Sequence, residues 1–268
     1  MASFKNSFKR TRKRSRHRLR IFFKYHFQRS EKKPIFVVAT RRSGSNLLIS
    51  YLNSIPDVSF QNEVLNADMY YGLRKRFLSK KAILNHIVYS LNDCPSRICG
   101  IKTLYVQLES HGITVEDLKR TFPSCRFVIL YRKSLLDQFI SLKIAQETHH
   151  FLWSDKFRLP NSIHIDPREL RHYCKKIKDF YRKIFLYEWL ENQSVIISYE
   201  ELIKNTQKVF NEKVFPILNL VPCVVTSAMR KQNTKNPSEI VSNYEELKPL
   251  IENRITKHEY HSFDLYAG

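Results

Sequence analysis

The stretch Val37-Val38-Ala39-Thr40-Arg41-Arg42-Ser43-Gly44-Ser45-Asn46-Leu47-Leu48 passes abruptly from apolar residues to residues that can bind charge. The chain has 5 glycines in 268 residues. One of them stands between a short apolar run, Ile35–Ala39, and residues 45–53, which carry Leu47, Leu48, Tyr51 and Leu52 at helical spacing. A strand, a glycine-bearing loop and a helix start gather backbone N–H groups and the positive helix end around one point, which suits a phosphate or sulfate. The loop is not a Walker A loop, because GxxxxGK[ST] needs a glycine where Ala39 stands and a lysine where Asn46 stands. Read alone, it also fits an ordinary strand-to-helix loop with Ser45 as the cap.

A second group sits after the run 126–130 (RFVIL), in Tyr131-Arg132-Lys133-Ser134. Metal-dependent phosphotransferases of the P-loop type place an aspartate at such a strand end to hold Mg²⁺. Here the group is cationic, which argues against metal-assisted phosphoryl transfer, and no metal is expected. Arg132 at a strand's carboxyl end, with Ser141 on the next helix, can hold a second phosphate in the crevice where parallel sheets bind ligands. Two anion sites suggest a doubly phosphorylated nucleotide, although a surface salt bridge and a plain helix hydroxyl fit the same two residues.

These groups need a scaffold, and the pattern supplies one. Strands are expected at Ile35–Ala39, 97–102, 126–130 and 195–197. Helices are expected at 45–53, 115–122, from Ser134, across 167–192 and across 199–220, with a polar segment from Val221 onward. This alternation implies a parallel sheet covered by helices, a three-layer α/β sandwich. No internal repeat is visible, and no apolar run approaches the roughly 20 residues that span a bilayer.

The net charge of +21 is uneven. Residues 1–33 hold 13 Lys/Arg and one acid, Glu31, for a net +12, which leaves 33 basic against 24 acidic residues, net +9, for 34–268. The first part reads as a solvated basic arm without a secretory signal's apolar core. Leu19, Ile21, Phe22, Phe23, Tyr25 and Phe27 follow its charges, so residues 5–27 suit an anionic membrane surface better than nucleic acid. The rest, 34–268, is expected to be one folded domain that favours an anionic ligand. Five cysteines (Cys94, Cys99, Cys125, Cys174 and Cys223), with no CxxC pair, speak against a disulfide framework or structural zinc, and for a reducing, cytoplasmic setting with at most peripheral membrane contact.

The chain resembles the sulfotransferase superfamily, whose donor is 3′-phosphoadenosine 5′-phosphosulfate (PAPS). Arg42-Ser43-Gly44-Ser45-Asn46-Leu47 is similar to that family's 5′-phosphosulfate loop in its RSG[ST] form, and Arg132-Lys133-Ser134-Leu135-Leu136-Asp137-Gln138-Phe139-Ile140-Ser141 to its 3′-phosphate motif. The Arg-to-Ser spacing of nine, against the usual eight of the cytosolic enzymes, is more similar to the bacterial branch of nodulation-factor and glycolipid sulfotransferases. Tyr199-Glu200-Glu201-Leu202, Lys231-Gln232-Asn233 and Ser242-Asn243-Tyr244-Glu245-Glu246-Leu247 resemble later segments of that branch.

The resemblance implies a P-loop-like nucleotide-binding sulfotransferase fold and an enzyme that moves a sulfuryl group from PAPS to a hydroxyl of a carbohydrate or glycolipid. Arg42, Ser43, Gly44, Ser45 and Asn46 would bind the 5′-phosphosulfate. Arg132 and Ser141 would bind the 3′-phosphate, with Lys231, and Arg230 beside it, closing over it. Sulfuryl transfer needs a base for the acceptor hydroxyl and positive charge for the leaving phosphate. Glu63, 21 residues after Arg42, is the candidate base. Arg42 and Lys102, the latter at a strand end, are the candidate catalytic cations, and His149 and His150 are alternative bases. Two other readings are a P-loop-like small-molecule kinase and a non-catalytic membrane- or nucleic-acid-binding protein on a degenerate nucleotide fold.

Overall fold

Three apolar runs become central strands because both faces of each can be buried, and two half-buried runs pair at the edges. In the computed structural model, which describes residues 33–66, 79–151, 157–229 and 235–259, they form one parallel sheet in the order β2-β3-β1-β4-β5. The first elements are β1 (Ile35–Ala39), α1 (Ser45–Leu52), β2 (Val58–Gln61), α2 (Lys80–Asn92), β3 (Ile98–Leu104), α3 (Tyr105–His111) and α4 (Val115–Thr121). They are followed by β4 (Arg126–Tyr131), α5 (Leu135–Thr148), α6 (Pro167–Phe185), α7 (Leu190–Gln193) and β5 (Ser194–Ser198). After β5 come α8 (Tyr199–Lys204), α9 (Thr206–Val209), a π-helical turn (Phe210–Val214), α10 (Phe215–Leu218), α11 (Pro237–Ile240) and α12 (Tyr244–Glu252).

Every residue of β1 is buried. Phe36 and Val38 join Ile101, Phe127 and Ile129 in a core shared with α2, α5, α6 and α12. Ile35, Val37 and Ala39 point the other way, into a core with Leu48 and Leu52 of α1 and with Phe210 and Phe215 beyond β5. The alternation along one strand thus builds the helix–sheet–helix sandwich that the sequence implies. Because β3 lies on one side of β1 and β4 on the other, the chain changes direction at the carboxyl ends of β1 and β4. A parallel sheet opens its ligand crevice at such a point.

Several sequence expectations are corrected. The helix expected over 167–192 stops at Phe185, the chain turns, and only α7 resumes. The single helix expected over 199–220 is broken: the Asn205 side chain caps α9, and a π turn precedes Pro216 in α10. The segment beyond Val221 is not merely polar, since α12 buries Leu247 and Leu250. Cys94 and Cys99 form a disulfide across the turn between α2 and β3, a short local bridge rather than a framework. Cys125 and Cys174 are buried thiols that desolvation keeps protonated, with pKa values pushed up to about 12 and about 11. Among the described residues no helix is long and apolar enough to cross a membrane. Most of the arm, residues 1–32, lies outside the described residues, as do Arg230, Lys231, Gln232 and Asn233.

The last described segment supports the crevice from behind. Leu135 N–H donates to the Thr256 carbonyl at 2.8 Å, His258 N–H donates to the Lys133 carbonyl at 2.8 Å, and Ser134 bridges Lys257. His258 is 3% exposed and meets the Tyr131 and Tyr181 rings at 5.3 and 5.1 Å. Burial, reinforced by nearby Lys178, lowers its pKa to about 3. The unfolded chain therefore binds a proton below about pH 6.5 that the folded chain refuses, so this group makes stability fall as pH falls from there toward about 3. Denaturant titrations at about pH 7 and pH 5 are expected to differ more in the wild type than in His258→Gln, by up to about 1.4 kcal/mol per pH unit.

Candidate active site

The loop after β1 is shaped by its backbone before any side chain acts. Gly44 sits at φ 91° and Arg42 at φ 62°, both left-handed. The α1 helix starts from Gly44 without a side-chain cap, so Ser45 is not the cap that the ordinary-loop reading required. A Cβ on Gly44 would also lie 2.4 Å from Cδ2 of Tyr199. Gly44→Ala therefore combines left-handed strain of about 1–2 kcal/mol with a displaced aromatic ring. Equilibrium unfolding should show a loss of at least about 2 kcal/mol.

Behind the loop lies a buried polar network. Gln138 of α5 donates from Nε2 to Thr40 Oγ1 at 2.7 Å and to the Arg41 carbonyl at 2.6 Å. Ser43 Oγ donates back to the Thr40 carbonyl at 2.8 Å. Tyr181 of α6 donates its hydroxyl to the Leu130 carbonyl at 2.5 Å and lies 3.3 Å from Thr40 Oγ1. These bonds fix where the loop's N–H groups point, and their loss would leave buried polar atoms unpaired. Gln138 lay within the Arg132–Ser141 motif and Tyr181 on the long helix, but nothing in their spacing marked them.

Two groups of charged side chains flank the loop. On the β3 side, Lys102 is 3% exposed and stands in register with Val37 of β1. Its ammonium donates to Asn46 Oδ1 and pairs with Glu63 Oε1 at 2.8 Å. The other oxygen of Glu63 accepts from Asn66 at 2.9 Å and from Gln107 at 2.6 Å. Burial works to raise the Glu63 pKa, but the Lys102 charge and the hydrogen bonds of Lys102, Asn66 and Gln107 prevail and hold it below the ordinary carboxylate range. Glu63, Lys102 and Asn46, spread over 57 positions of sequence, thus meet at one edge of the loop.

On the β4 side, Arg42 donates from Nε to Ser141 Oγ at 2.9 Å and from Nη1 to the Phe151 carbonyl at 2.5 Å. Arg132 reaches the Arg42 carbonyl at 3.4 Å and stacks over the Tyr199 ring at 4.7 Å. Its Nε has no hydrogen-bond partner, and the nearest carboxylate oxygen, from Glu200, is 3.9 Å away. Glu200 is occupied elsewhere, accepting from the backbone N–H groups of Lys133 and Ser134 at 2.9 and 3.2 Å. Desolvation and the facing charge of Arg132 lower the Arg42 pKa, as expected of two guanidiniums that share a half-dry pocket.

The sequence assigned Arg42 to one anion and Arg132 with Ser141 to another, whereas the structure brings all three side chains to one place. Ser45 and Asn46 open α1 beside them. His149 ends α5 in a left-handed turn, and His150 packs edge-on against Phe157 at 6.2 Å. Asn66, Gln107, Tyr199 and Glu200 were not assigned roles, although Tyr199 and Glu200 lay in a quoted motif.

No family model matches the chain. It is 22% identical to nodulation protein H of Rhizobium meliloti over 238 residues, 81% of this chain and 90% of the relative. The corresponding protein of Rhizobium meliloti strain 1021 is also 22% identical, over 240 residues. Among solved structures, a sulfotransferase from Alicyclobacillus acidocaldarius superposes with a TM-score of 0.50 at 14% identity, covering 84% of this chain and 93% of that one. The chain has the sulfotransferase fold. Its likeness in sequence is to nodulation protein H and its likeness in fold is to a sulfotransferase.

Proposed function

We propose that this chain is a sulfotransferase that moves a sulfuryl group from PAPS to a hydroxyl of a carbohydrate or glycolipid acceptor. The observation that carries the reading is the pairing of a half-buried Glu63, held by the buried Lys102 of β3, on one side of the Gly44 loop with two neighbouring arginines on the other. A doubly phosphorylated nucleotide suits this arrangement. Arg132 Nε is buried without a hydrogen-bond partner, a state that costs free energy unless an anion completes it. Arg132 and Ser141, with Lys231 from outside the described residues, would hold the 3′-phosphate. Ser43, Gly44, Ser45 and Asn46 would hold the 5′-phosphosulfate, and Arg42 stands where it can serve either.

PAPS supplies an activated sulfuryl group on a good leaving phosphate. The chain supplies position and charge. Glu63 accepts the acceptor's proton as the new bond forms. Lys102, held between Glu63 and Asn46, brings positive charge to the loop edge where negative charge builds on the leaving oxygen. The arm of residues 1–33 serves, on this proposal, to hold the domain 34–268 peripherally at an anionic membrane bearing the acceptor. The test is to incubate the full chain with ³⁵S-labelled PAPS and pooled neutral glycans and glycolipids, with chelator present. Label should reach the glycan or glycolipid fraction with wild-type protein and not with Glu63→Gln. Phosphate transfer from Mg-ATP with no sulfate transfer would favour a small-molecule kinase instead.

A further inference from the structure

Glu63 stands two residues beyond β2, an edge strand that ends at Gln61. Its side chain is held by Lys102, Asn66 and Gln107, but a side chain is only as well placed as the backbone that carries it. That backbone forms a turn, closed by the Asn66 N–H donating to the Glu63 carbonyl at 3.0 Å. Within the turn Val64 and Leu65, 1% and 2% exposed, join the core that holds Ile83 and Ile87 of α2 and Leu108 of α3. The carbonyls of these two residues are met by histidines from the same two helices. His86 of α2 places Nε2 3.2 Å from the Val64 carbonyl oxygen, and His111, the last residue of α3, places Nε2 2.9 Å from that of Leu65. A carbonyl only accepts, so Nε2 carries the hydrogen in both rings. One such bond would let the turn pivot, whereas two, reaching consecutive carbonyls from separate helices, fix both its position and its tilt.

We propose that His86 and His111 are positioning residues for the transfer step: they hold the Glu63 turn so that the carboxylate meets the acceptor hydroxyl at the distance that proton transfer needs. The proposal rests on the reading of Glu63 as the base and adds two residues outside every sequence motif. A base works only within about 2.6–3.2 Å of the atom whose proton it takes, and a misplacement of about 1 Å can cost about 10²-fold in rate. Both bonds end on the turn, on the β3 side of the Gly44 loop and away from the two arginines, so nucleotide binding should not register their loss.

The test is single-turnover sulfate transfer from ³⁵S-labelled PAPS to pooled neutral glycans and glycolipids, alongside calorimetric titration of adenosine 3′,5′-bisphosphate. The full-length variants are compared below their melting temperatures. His86→Phe and His111→Phe keep an aromatic ring and remove the donor, while His86→Gln and His111→Gln donate from an amide in nearly the same place. Leucine replaces phenylalanine wherever the larger ring prevents folding. Each phenylalanine variant should transfer sulfate at least about tenfold more slowly while binding the bisphosphate within about twofold of wild type, and each glutamine variant should recover most of the rate. In a Glu63→Gln background the same phenylalanine substitutions should cost less than about twofold more, since the placement of a group that no longer takes the proton has no consequence. Wild-type rates in both phenylalanine variants, beside a slow Glu63→Gln, overturn the positioning proposal and leave Glu63 as the base. A parallel loss of bisphosphate affinity, or a loss of rate that adds in full to that of Glu63→Gln, also overturns it, because either marks general damage to the fold. A Glu63→Gln protein that transfers sulfate at the wild-type rate overturns the base reading, and this proposal with it.

Discussion

Glu63→Gln is expected to lower kcat by about 10²–10⁴ while leaving the affinity for adenosine 3′,5′-bisphosphate within about twofold. Glutamine keeps the size of the side chain and its bonds to Asn66 and Gln107 but cannot take the acceptor's proton. The carboxyl is held ionised by Lys102 and two amides, so it is ready as a base throughout the neutral range. Its depressed pKa also fixes the sign of two pH effects. The ion pair's stabilisation is present above the ordinary glutamate pKa and is lost as pH falls through the lower folded value. The acid limb of the rate profile should lie below about pH 4.5 and vanish in Glu63→Gln.

The variant should also be less stable, by about 3 kcal/mol, because Lys102 would remain buried without its counter-ion. Turnover must accordingly be compared on protein shown to be folded by its nucleotide-free melting curve. Near-normal single-turnover transfer by Glu63→Gln would show that another group takes the proton, and His149 or His150 would be substituted next.

Arg132→Ala should erase the preference for the bisphosphate over the monophosphate, a loss of about 10²-fold in bisphosphate affinity if two charge-assisted contacts disappear. Arg132→Lys should recover little of it. A lysine cannot both lie flat on the Tyr199 ring and present the fork that Arg132 now directs between Arg42 and Glu200. An Arg132→Ala protein that still distinguishes the nucleotides would move the 3′-phosphate away from the end of β4. Calorimetric titration of the three proteins decides the matter.

The parts of this molecule legible in the sequence are those in which local pattern and tertiary role agree. Ile35–Ala39 is apolar because both faces of β1 are covered, and its limits match the expected strand. Gly44 could be singled out because a left-handed turn into a helix leaves few other choices. The strands at β3, β4 and β5 were found to within a few residues. By contrast, β2 alternates over only four residues, too few to signal a strand. The long helices expected after residue 167 broke where the apolar spacing continued but a turn or a π turn intervened.

At the site, sequence spacing could nominate Glu63 and Lys102 separately, but only parallel pairing of β2, β3 and β1 sets them beside Asn46. Arg42 was read as a ligand of the 5′-phosphosulfate and as a catalytic cation. In the structure its backbone is left-handed and its guanidinium donates to Ser141, which the spacing did not foretell. Gln138 carries no sequence mark, because a buried glutamine becomes informative only when its neighbours and its completed hydrogen bonds are known.

On the proposed reading, the crevice at the ends of β1 and β4 takes a nucleotide with phosphates on both the 3′ and 5′ positions in preference to a metal-bound triphosphate. The most direct measurement is a calorimetric titration of the wild-type chain with adenosine 3′,5′-bisphosphate in chelator, alongside ATP with Mg²⁺ and adenosine 5′-phosphate. The bisphosphate is expected to bind at least about tenfold more tightly than either of the others, and without metal. Tighter binding of Mg-ATP, or equal binding of the bisphosphate and the monophosphate, would contradict it.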